Sequence, residues 1–408
     1  MTPNAAPPPT TNPGIGLMLL LIAMASIGPL SVNIIVPAVP GLAASLEADP
    51  GTVQLTISLF FGGLACAQLV LGTLSDRYGR RPVLIAGFII TVITSFAAAA
   101  ATNITALVAA RTTQALGAST GIVIGRAIIR DLYTRDRAAS MLGWVTMSTV
   151  LLPMFGPLLG GVLDQWFGWR AIFIFVGCAG LLILIWAMLA LPETRPAHAG
   201  GAMSSAQLWK EARTLLTNPV FLGFVLCCGM ISGPYYAILG GVPHVVISQM
   251  GRTSTELGVW FLLSSFGYML GNFFAGRFSV RFGVNAMVLW GLLIELVGAI
   301  LGLVLILGLP EPGPIAIFAP AALIYIGNGV ALPNAIAGAV SVRPQAAGTA
   351  SGVAGFVQMG YGAVVSQVIN YPLAGATSAM PLILAMLAQA IAGVVIFWLL
   401  VRRSSPAE

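Results

Sequence analysis

The sequence predicts an all-α polytopic membrane protein with twelve transmembrane helices in two six-helix, pseudo-symmetric halves. Three observations predict this fold class: a very low content of charge, apolar runs of spanning length, and an internal repeat. Of the 408 residues, 58% are hydrophobic and 7% are charged, whereas a soluble domain carries about 25% charged residues. Because the lipid-facing surface of a protein must be apolar, a bilayer accounts for this composition.

Twelve apolar runs are separated by turn and charge signals, and each has the roughly 20 residues that a membrane span requires. The predicted spans are residues 15–37, 52–73, 83–101, 105–129, 139–163, 170–191, 219–243, 257–279, 284–309, 314–340, 349–369 and 378–401. The first run is longer than a signal-peptide core and has no basic region before it. We therefore expect it to remain as a span.

An internal repeat divides the chain into two halves. Residues 72–79 (GTLSDRYG) recur as residues 276–283 (GRFSVRFG), an offset of 204, which is half of the chain. Both copies are predicted to form the loop after the second span of their half. The predicted organisation is a tail at 1–14, a first half at 15–191, a linker at 192–218, a second half at 219–401 and a tail at 402–408. Repeated halves with a central site are usual in secondary transporters.

The linker has two interpretations. Residues 204–216 form either a short amphipathic helix on the membrane surface or an unstructured connection. The basic residues predict the orientation, because 14 of the 18 Lys and Arg fall in alternate loops and the C-terminal tail, whereas only Arg170 and Arg252 fall on the opposite side. The positive-inside rule then places both termini in the cytoplasm.

The composition also argues against several function classes. The single lysine, Lys210, is preceded by tryptophan, so the chain lacks a Gly-Lys-Ser/Thr phosphate loop. The two histidines, His198 and His244, lie far apart in sequence, so no metal site is expected. No basic, aromatic-interleaved patch suggests a nucleic acid partner. We expect no enzyme activity and no cofactor, and a monomer surrounded by lipid.

Residues 72–82 (GTLSDRYGRRP) resemble the loop signature of the major facilitator superfamily. Glycine allows a tight turn between helices, and a carboxylate can face a helix N-terminus or an arginine. The resemblance implies that Asp76 locks one conformation against Arg130 and against the start of the eleventh helix, near residues 348–351. The alternative is a positively charged turn without a gating role. The implied gating residues are Gly72, Asp76, Arg77, Gly79, Arg80, Arg130, Gly156 and Pro157.

Two further stretches are similar to signatures of the drug–proton antiporters. Residues 111–117 (RTTQALG) match the fourth-helix signature, and residues 156–161 (GPLLGG) match the fifth-helix signature. The stretches that resemble the Bcr/CflA branch, which exports bicyclomycin, phenicols and related drugs, are residues 29–31, 37–40, 54–58, 130–133 and 191–195. The resemblance implies a major facilitator fold and proton-coupled export of small, partly apolar drugs by alternating access.

The chain departs from the branch at the position that usually carries the proton. The branch usually carries an aspartate in the first helix where this chain has Asn33, and an amide cannot bind and release a proton near neutral pH. Glu295, in the middle of the ninth span, is the candidate proton carrier. The ninth helix of this superfamily lies at the periphery, so a structural role for Glu295 is an equal alternative.

Two arginines lie inside the fourth span, and an intramembrane arginine is a functional candidate. Arg111 has Gln114 on its helix face at i+3. Arg126 contributes a second positive charge to the cavity wall or extends toward the cytoplasm. Because Asn33 replaces the acid that could balance these charges, we expect a neutral or anionic ligand to be favoured over a lipophilic cation.

The substrate-binding candidates are polar or adaptable side chains on helices that line the path in this superfamily. They are Asn33, Arg111, Gln114, Arg126, Met147, Tyr235, Tyr236, Tyr268, Asn328 and Gln358. For each of them, ordinary helix packing is the alternative. Two other functions stay open for the whole chain: an exporter or facilitator of a metabolite without proton coupling, and a membrane receptor that transports nothing.

Overall fold

The computed structural model describes residues 15–133, 141–142, 144–145, 147–149, 153–194, 213–343 and 346–402, and their regular secondary structure is helical. The helices are α1 Ile15–Asn33, α2 Pro50–Tyr78, α3 Arg80–Ala99, α4 Ile104–Leu132, α5 Gly156–Phe167, α6 Arg170–Ala190, α7 Pro219–Pro243, α8 Ser254–Phe282, α9 Val284–Gly308, α10 Ile315–Ser341, α11 Ala347–Val368 and α12 Met380–Ile396. Short helical segments continue α1 (Val39–Ser45), α7 (His244–Gln249), α11 (Asn370–Ala374) and α12 (Phe397–Arg402).

Ten of these helices are long and apolar enough to cross a bilayer. Helix α4 is equally long, at 29 residues, but carries several charged side chains. Helix α5 is the twelfth, and the beginning of its predicted span falls partly outside the described residues. The tail at 1–14 and most of the 192–218 linker, including residues 204–212 of its alternative surface helix, also lie outside them. The predicted all-α, twelve-helix fold class is confirmed.

The prediction that residues 72–79 form a loop is wrong. Helix α2 continues to Tyr78 and α3 begins at Arg80, so Gly79 alone joins them. Gly79 has φ 97° and Gly283, at the equivalent position of the second half, has φ 80°. Residues with a Cβ atom avoid positive φ. Two glycines 204 positions apart therefore make the same sharp corner in both halves.

Each half is built around one central helix. In the first half α4 packs against α1, α2 and α3, and α6 packs against α3. In the second half α10 packs against α7, α8 and α9, and α12 packs against α9. The two halves meet along two helix pairs, α2 with α11 and α5 with α8. The space between the halves is therefore closed where the helices of these pairs contact each other, and it would open where they separate.

Small residues allow the helices inside a half to approach closely, as is common in membranes. Helices α1 and α4 contact each other where Gly121 faces the Met24 carbonyl, and a Cβ atom on Gly121 would overlap that oxygen. Gly125, one turn along the same helix, has nothing within 4 Å of its Cβ direction. The requirement for glycine is therefore local to one contact.

We expect Gly121→Ala to lower the thermal unfolding temperature of the purified protein in detergent, because the added methyl forces α1 away from α4. Gly125→Ala is the matched control and should leave that temperature unchanged or raise it, since alanine is favoured over glycine in a helix by about 1 kcal/mol. Equal unfolding temperatures for the two variants would contradict the assignment of this close contact.

Candidate functional site

Helix α2 separates two acidic residues that mark opposite faces of the bundle, named the Asp49 side and the Asp76 side. Asp49 is the N-cap of α2, where hydrogen bonds from the Thr52 side chain and from the backbone N–H groups of Gly51 and Thr52 lower the pKa of its carboxyl. Asp76 lies in the last turn. With 29 residues, α2 is about 43 Å long. Even-numbered helices therefore run toward the Asp76 side, and odd-numbered helices run toward the Asp49 side.

Hydrogen bonds between the halves close the Asp49 side. Between α5 and α8, Ser254 Oγ donates to Asp164 Oδ2 at 2.8 Å. Between α2 and α11, Gln367 Nε2 donates to the Gly51 carbonyl at 2.9 Å, and Ser58 Oγ donates to Gln367 Oε1 at 3.0 Å. Both helix pairs that join the halves thus make polar contacts on the same side.

A cavity of about 360 Å³ lies between the halves. Eight helices contribute to its wall: α1, α2, α4, α5, α7, α8, α10 and α11. Its described polar lining consists of Asn33, Gln68, Ser119, Arg126, Thr149, Ser232, Tyr235, Tyr236, Ser265, Tyr268, Tyr325, Asn328, Ser351 and Gln358. The rest of the wall is apolar. Gln68, Arg126 and Ser351 lie toward the Asp76 side, so the cavity extends to that face of the bundle.

Aromatic rings and one amide form the inner part of this cavity. Tyr235 Oη donates to Asn33 Oδ1 at 2.9 Å and so joins α7 to α1 across the two halves. The Tyr235 ring packs edge-on against Tyr236 at 5.2 Å and Tyr325 at 5.8 Å between ring centroids. Phe61 packs against Tyr236 at 4.8 Å. Such rings offer apolar faces and hydroxyl groups together.

The environment of Asn33 suits an amide. Its Nδ2 donates to the Pro29 carbonyl at 2.9 Å while its Oδ1 accepts from Tyr235. An ionised carboxylate at this position would have only acceptors and would place one of them against the Pro29 carbonyl. The residue that departs from the Bcr/CflA pattern therefore makes two hydrogen bonds that use both ends of its amide.

Two further amides connect cavity helices to α7 beside Pro234. Asn328 Nδ2 donates to the Ile231 carbonyl at 2.8 Å, and Gln358 Nε2 donates to Ser232 Oγ at 2.9 Å. Proline lacks an N–H and interrupts the hydrogen bonding of a helix. Side chains of the cavity wall thus donate hydrogen bonds to α7 near Pro234, where the helix lacks one of its own backbone hydrogen bonds.

Arg126 lines the cavity and is exposed to it. Its guanidinium has no hydrogen bond or ion pair with the residues that the structure describes. Arg130 follows one helical turn later and lines a separate crevice. Arg126 is therefore the positive charge that faces the central space.

Arg111 is fully buried behind the cavity wall, at 1% exposure. Its guanidinium donates to Gln114 Oε1 at 2.5 Å and to the Ser31 carbonyl at 3.1 Å, with a longer contact of 3.4 Å to the Thr56 carbonyl. It also lies over the Phe60 ring at 4.1 Å. Arg111 thus links α1, α2 and α4 inside the first half.

Arg80 organises the corner between α2 and α3 on the Asp76 side. Its Nη1 lies 2.7 Å from Asp76 Oδ1 and donates to Ser75 Oγ at 2.6 Å, while its Nε donates to Asp131 Oδ2 at 3.0 Å. The Glu193 carboxylate accepts from the backbone N–H of Arg80 at 3.0 Å, at the positive end of α3. One guanidinium therefore joins the ends of α2 and α4. The Glu193 carboxylate connects the segment that follows α6 to the start of α3.

Three members of this cluster are absent from the predicted gating residues: Ser75, Asp131 and Glu193. Asp131 and Glu193 belong to the stretches 130–133 and 191–195, whose resemblance to the branch was the available signal. Gly72, Asp76 and Arg80 line a crevice of about 390 Å³ together with Arg130 and Asp131. Arg77 is exposed, with its guanidinium over the Tyr78 ring at 5.4 Å.

Glu295 is fully buried in α9 and away from the described cavity lining. Neither carboxyl oxygen has a hydrogen-bond partner among the described residues. Its side chain lies directly against α10, because a Cβ atom on Gly327 would be 2.7 Å from Glu295 Cγ. Glu295 thus contacts α10, a helix that lines the cavity.

The structure brings seven of the ten predicted substrate-binding residues into the cavity wall: Asn33, Arg126, Tyr235, Tyr236, Tyr268, Asn328 and Gln358. Arg111 and Gln114 are buried behind the wall, and Met147 is 51% exposed outside the described lining. Pro157 lines the cavity, and Gly156 packs against the α1 end at Asn33. Sequence reasoning missed Tyr325 and Gln68, which no motif marks.

An amphipathic cavity between two pseudo-symmetric six-helix halves, closed on one side, is typical of a secondary transporter. Residues 21–366 match the sequence profile of the Major Facilitator Superfamily, and the chain belongs to this family. It is 30% identical over 370 residues to Multidrug resistance protein D of Escherichia coli strain K12, covering 88% of this chain and 90% of that one. A Chloramphenicol resistance protein of Pseudomonas aeruginosa is 28% identical over 341 residues, covering 82% and 79%.

The fold also resembles that of a solved transporter. A bacterial homolog of the human lysosomal transporter Spinster, in an inward-facing and occupied conformation, aligns with a TM-score of 0.73 at 18% identity, over 96% of this chain and 98% of that one. The likeness covers both halves and supports the twelve-helix architecture.

We expect Arg111→Lys to lower the free energy of unfolding by about 2 kcal/mol or more, because an ammonium cannot reproduce the planar contacts and buried acceptors lose a partner. The measurement is thermal or denaturant unfolding of the purified protein in detergent. Arg277→Lys, at an exposed position of α8, is the matched control. A lysine variant as stable as the parent would show that the Arg111 contacts are dispensable.

Proposed function

We propose that this chain exports small, partly apolar drugs across the bacterial inner membrane by alternating access. It acts as a monomer, with the Asp76 side and both termini in the cytoplasm. The amphipathic cavity between the halves carries this proposal, since its volume and mixture of rings, amides and hydroxyls suit a drug-sized molecule. The names of the bacterial relatives, which refer to multidrug and chloramphenicol resistance, support the substrate class.

The proposed cycle rocks the halves about the level of the Asn33–Tyr235 bond. With the Asp49 side closed, a drug enters from the Asp76 side. Opening the other side requires α5 to separate from α8 and α2 from α11, which breaks the hydrogen bonds of Ser254 and Gln367 described above. A drug or proton shifts the balance between the two states only as far as it binds one of them more tightly than the other.

The test is flux of radiolabelled chloramphenicol into proteoliposomes that contain the purified chain, with protein-free liposomes as the control. Saturable, protein-dependent flux is expected. Binding without flux would instead favour the receptor hypothesis. Flux that does not respond to a pH gradient would favour the facilitator hypothesis. Drug susceptibility of cells that express the chain gives an independent measurement of export.

We expect Asp76→Asn to leave the protein folded and inserted but to slow chloramphenicol export about tenfold. The charge-assisted contact to Arg80 contributes about 1.5 kcal/mol or more to one state of the cycle, and the amide weakens it. Asp49→Asn, at the other end of α2, is the matched control, because asparagine caps a helix as well as aspartate. Export by Asp76→Asn at the rate of the Asp49 control, at equal expression, would refute the gating role.

Proton coupling, in this proposal, uses Glu295. Its carboxyl group lies among packed helices without a described partner, where an isolated charge is strongly disfavoured. Gly327 places the carboxyl group directly against α10, and the next residue, Asn328, lines the cavity. A movement of α10 during the cycle can therefore expose the proton to water while it alters the cavity wall.

We expect Glu295→Gln, which keeps the shape of the protonated group, to abolish the stimulation of chloramphenicol uptake by a pH gradient in inverted vesicles. Uptake without a gradient should persist. Glu311→Gln changes an exposed glutamate between α9 and α10 and should respond to the gradient like the parent. If Glu295→Gln also keeps its gradient dependence, Glu295 has a structural role and the proton passes elsewhere.

A further inference from the structure

The described lining of the central cavity contains one charged side chain, Arg126, and no carboxylate. Asp76 and Asp131, on the Asp76 side, line a separate crevice and contact Arg80. The position at which the branch carries an acid is the amide of Asn33, which is bonded to Tyr235 and Pro29. The cavity thus presents a positive charge that its own described wall does not neutralise.

The location of Arg126 lets this charge reach the ligand. Ser119 and Arg126 both line the cavity from α4, and seven residues of helix separate them by about 10 Å along the axis. Side chains on a helix lean toward its N-terminus, which for α4 is the Asp49 side. The Arg126 side chain therefore leaves the helix tilted toward the inner part of the cavity, and its length lets the guanidinium reach a ligand there. Its planar fork matches an oxyanion with two equivalent oxygens.

A second observation points to an acceptor on the ligand. Tyr325 lines the cavity and is 4% exposed, and its buried hydroxyl has no hydrogen-bond partner in the described structure. A buried hydroxyl without a partner is unfavourable, and a shift of the Tyr325 ring that brings this hydroxyl to an acceptor on a bound ligand would remove that penalty. The neighbouring rings of Tyr235, Tyr236 and Phe61 offer apolar faces. The inner cavity can therefore hold an aromatic body.

Building on the proposed export function, we infer that the preferred substrates are small aromatic anions, whose acidic group pairs with Arg126 while the ring system packs among the tyrosines. An anion supplies the missing partner of the guanidinium, and a cation would be repelled by a like charge that no acid of the described wall balances. A neutral isostere keeps the ring contacts and loses the ion pair. The substrate class is thus set by one arginine and by the absence of an acid from the described wall.

The test compares three naphthalene probes of nearly equal size on the full chain in proteoliposomes. They are 2-naphthalenesulfonate, its neutral sulfonamide and the 2-naphthyltrimethylammonium cation, each measured as an inhibitor of chloramphenicol flux. On the parent chain we expect the sulfonate to inhibit at a concentration at least tenfold lower than either other probe. Equal potency of the sulfonate and the sulfonamide, or preference for the cation, would overturn the inference.

Variants of Arg126 test whether this residue causes the preference for the sulfonate. Arg126→Gln should remove the advantage of the sulfonate over the sulfonamide, and Arg126→Lys should retain part of it. Arg277→Gln, which removes an exposed arginine from the end of α8, is the matched control and should keep the full advantage. A full advantage in a folded Arg126→Gln protein would overturn the role of Arg126. If Arg126→Gln does not fold, the three probes on the parent chain still decide the charge preference.

The outcomes separate this inference from the proposed function. Chloramphenicol flux without preference for the anion refutes the anionic substrate class and leaves drug export standing. Absence of chloramphenicol flux, together with absence of any flux of the three probes measured directly, refutes the export function itself.

Discussion

This structure depends on one constraint: polar groups within a bilayer have no water with which to form hydrogen bonds. Each one needs a partner in the protein or a water-filled space. Arg111 shows the first solution, because its guanidinium is enclosed by Gln114, backbone carbonyls and an aromatic ring and so fixes α1 and α2 to α4. Arg126 shows the second, because it faces the central cavity. Two arginines on one helix thus have different roles: Arg111 joins the helices of the first half, and Arg126 faces the cavity.

The two halves meet by the same kinds of contact that hold the helices of each half together. Within a half, glycines let helices touch backbone to backbone, as at Gly121 and Met24. Between the halves, α5 and α8 also approach closely, where Gly161 faces the Ser254 carbonyl. This close contact and the hydrogen bonds of Ser254 and Gln367 lie at the Asp49 side. A rocking movement of the halves has to separate them there.

Much of the fold and part of the site could be predicted from the sequence. Hydropathy identified the spans because the bilayer imposes a minimum apolar length, and the repeat located both glycine corners. The sequence pattern placed Asp76 in a loop, because charged residues at the end of a helix resemble a connection between helices. In the structure α2 continues to Tyr78. Tyr325 and the Asp131–Arg80 contact were not predictable, since no local pattern shows which residues from distant helices face one cavity or one guanidinium.

The sequence by itself determined that the chain spans a membrane, that it has two related halves, and that Asn33 replaces the usual acid, because composition, periodicity and residue identity are local properties. Only the tertiary structure decided that Arg126 faces the cavity, whereas the sequence favoured Arg111 for contact with the substrate. It also decided that Glu295 is sealed against α10 rather than exposed to the central space. The reason is physical: a helix presents every side chain on some face, and only the packing of its neighbours determines whether that face meets lipid, protein or the cavity.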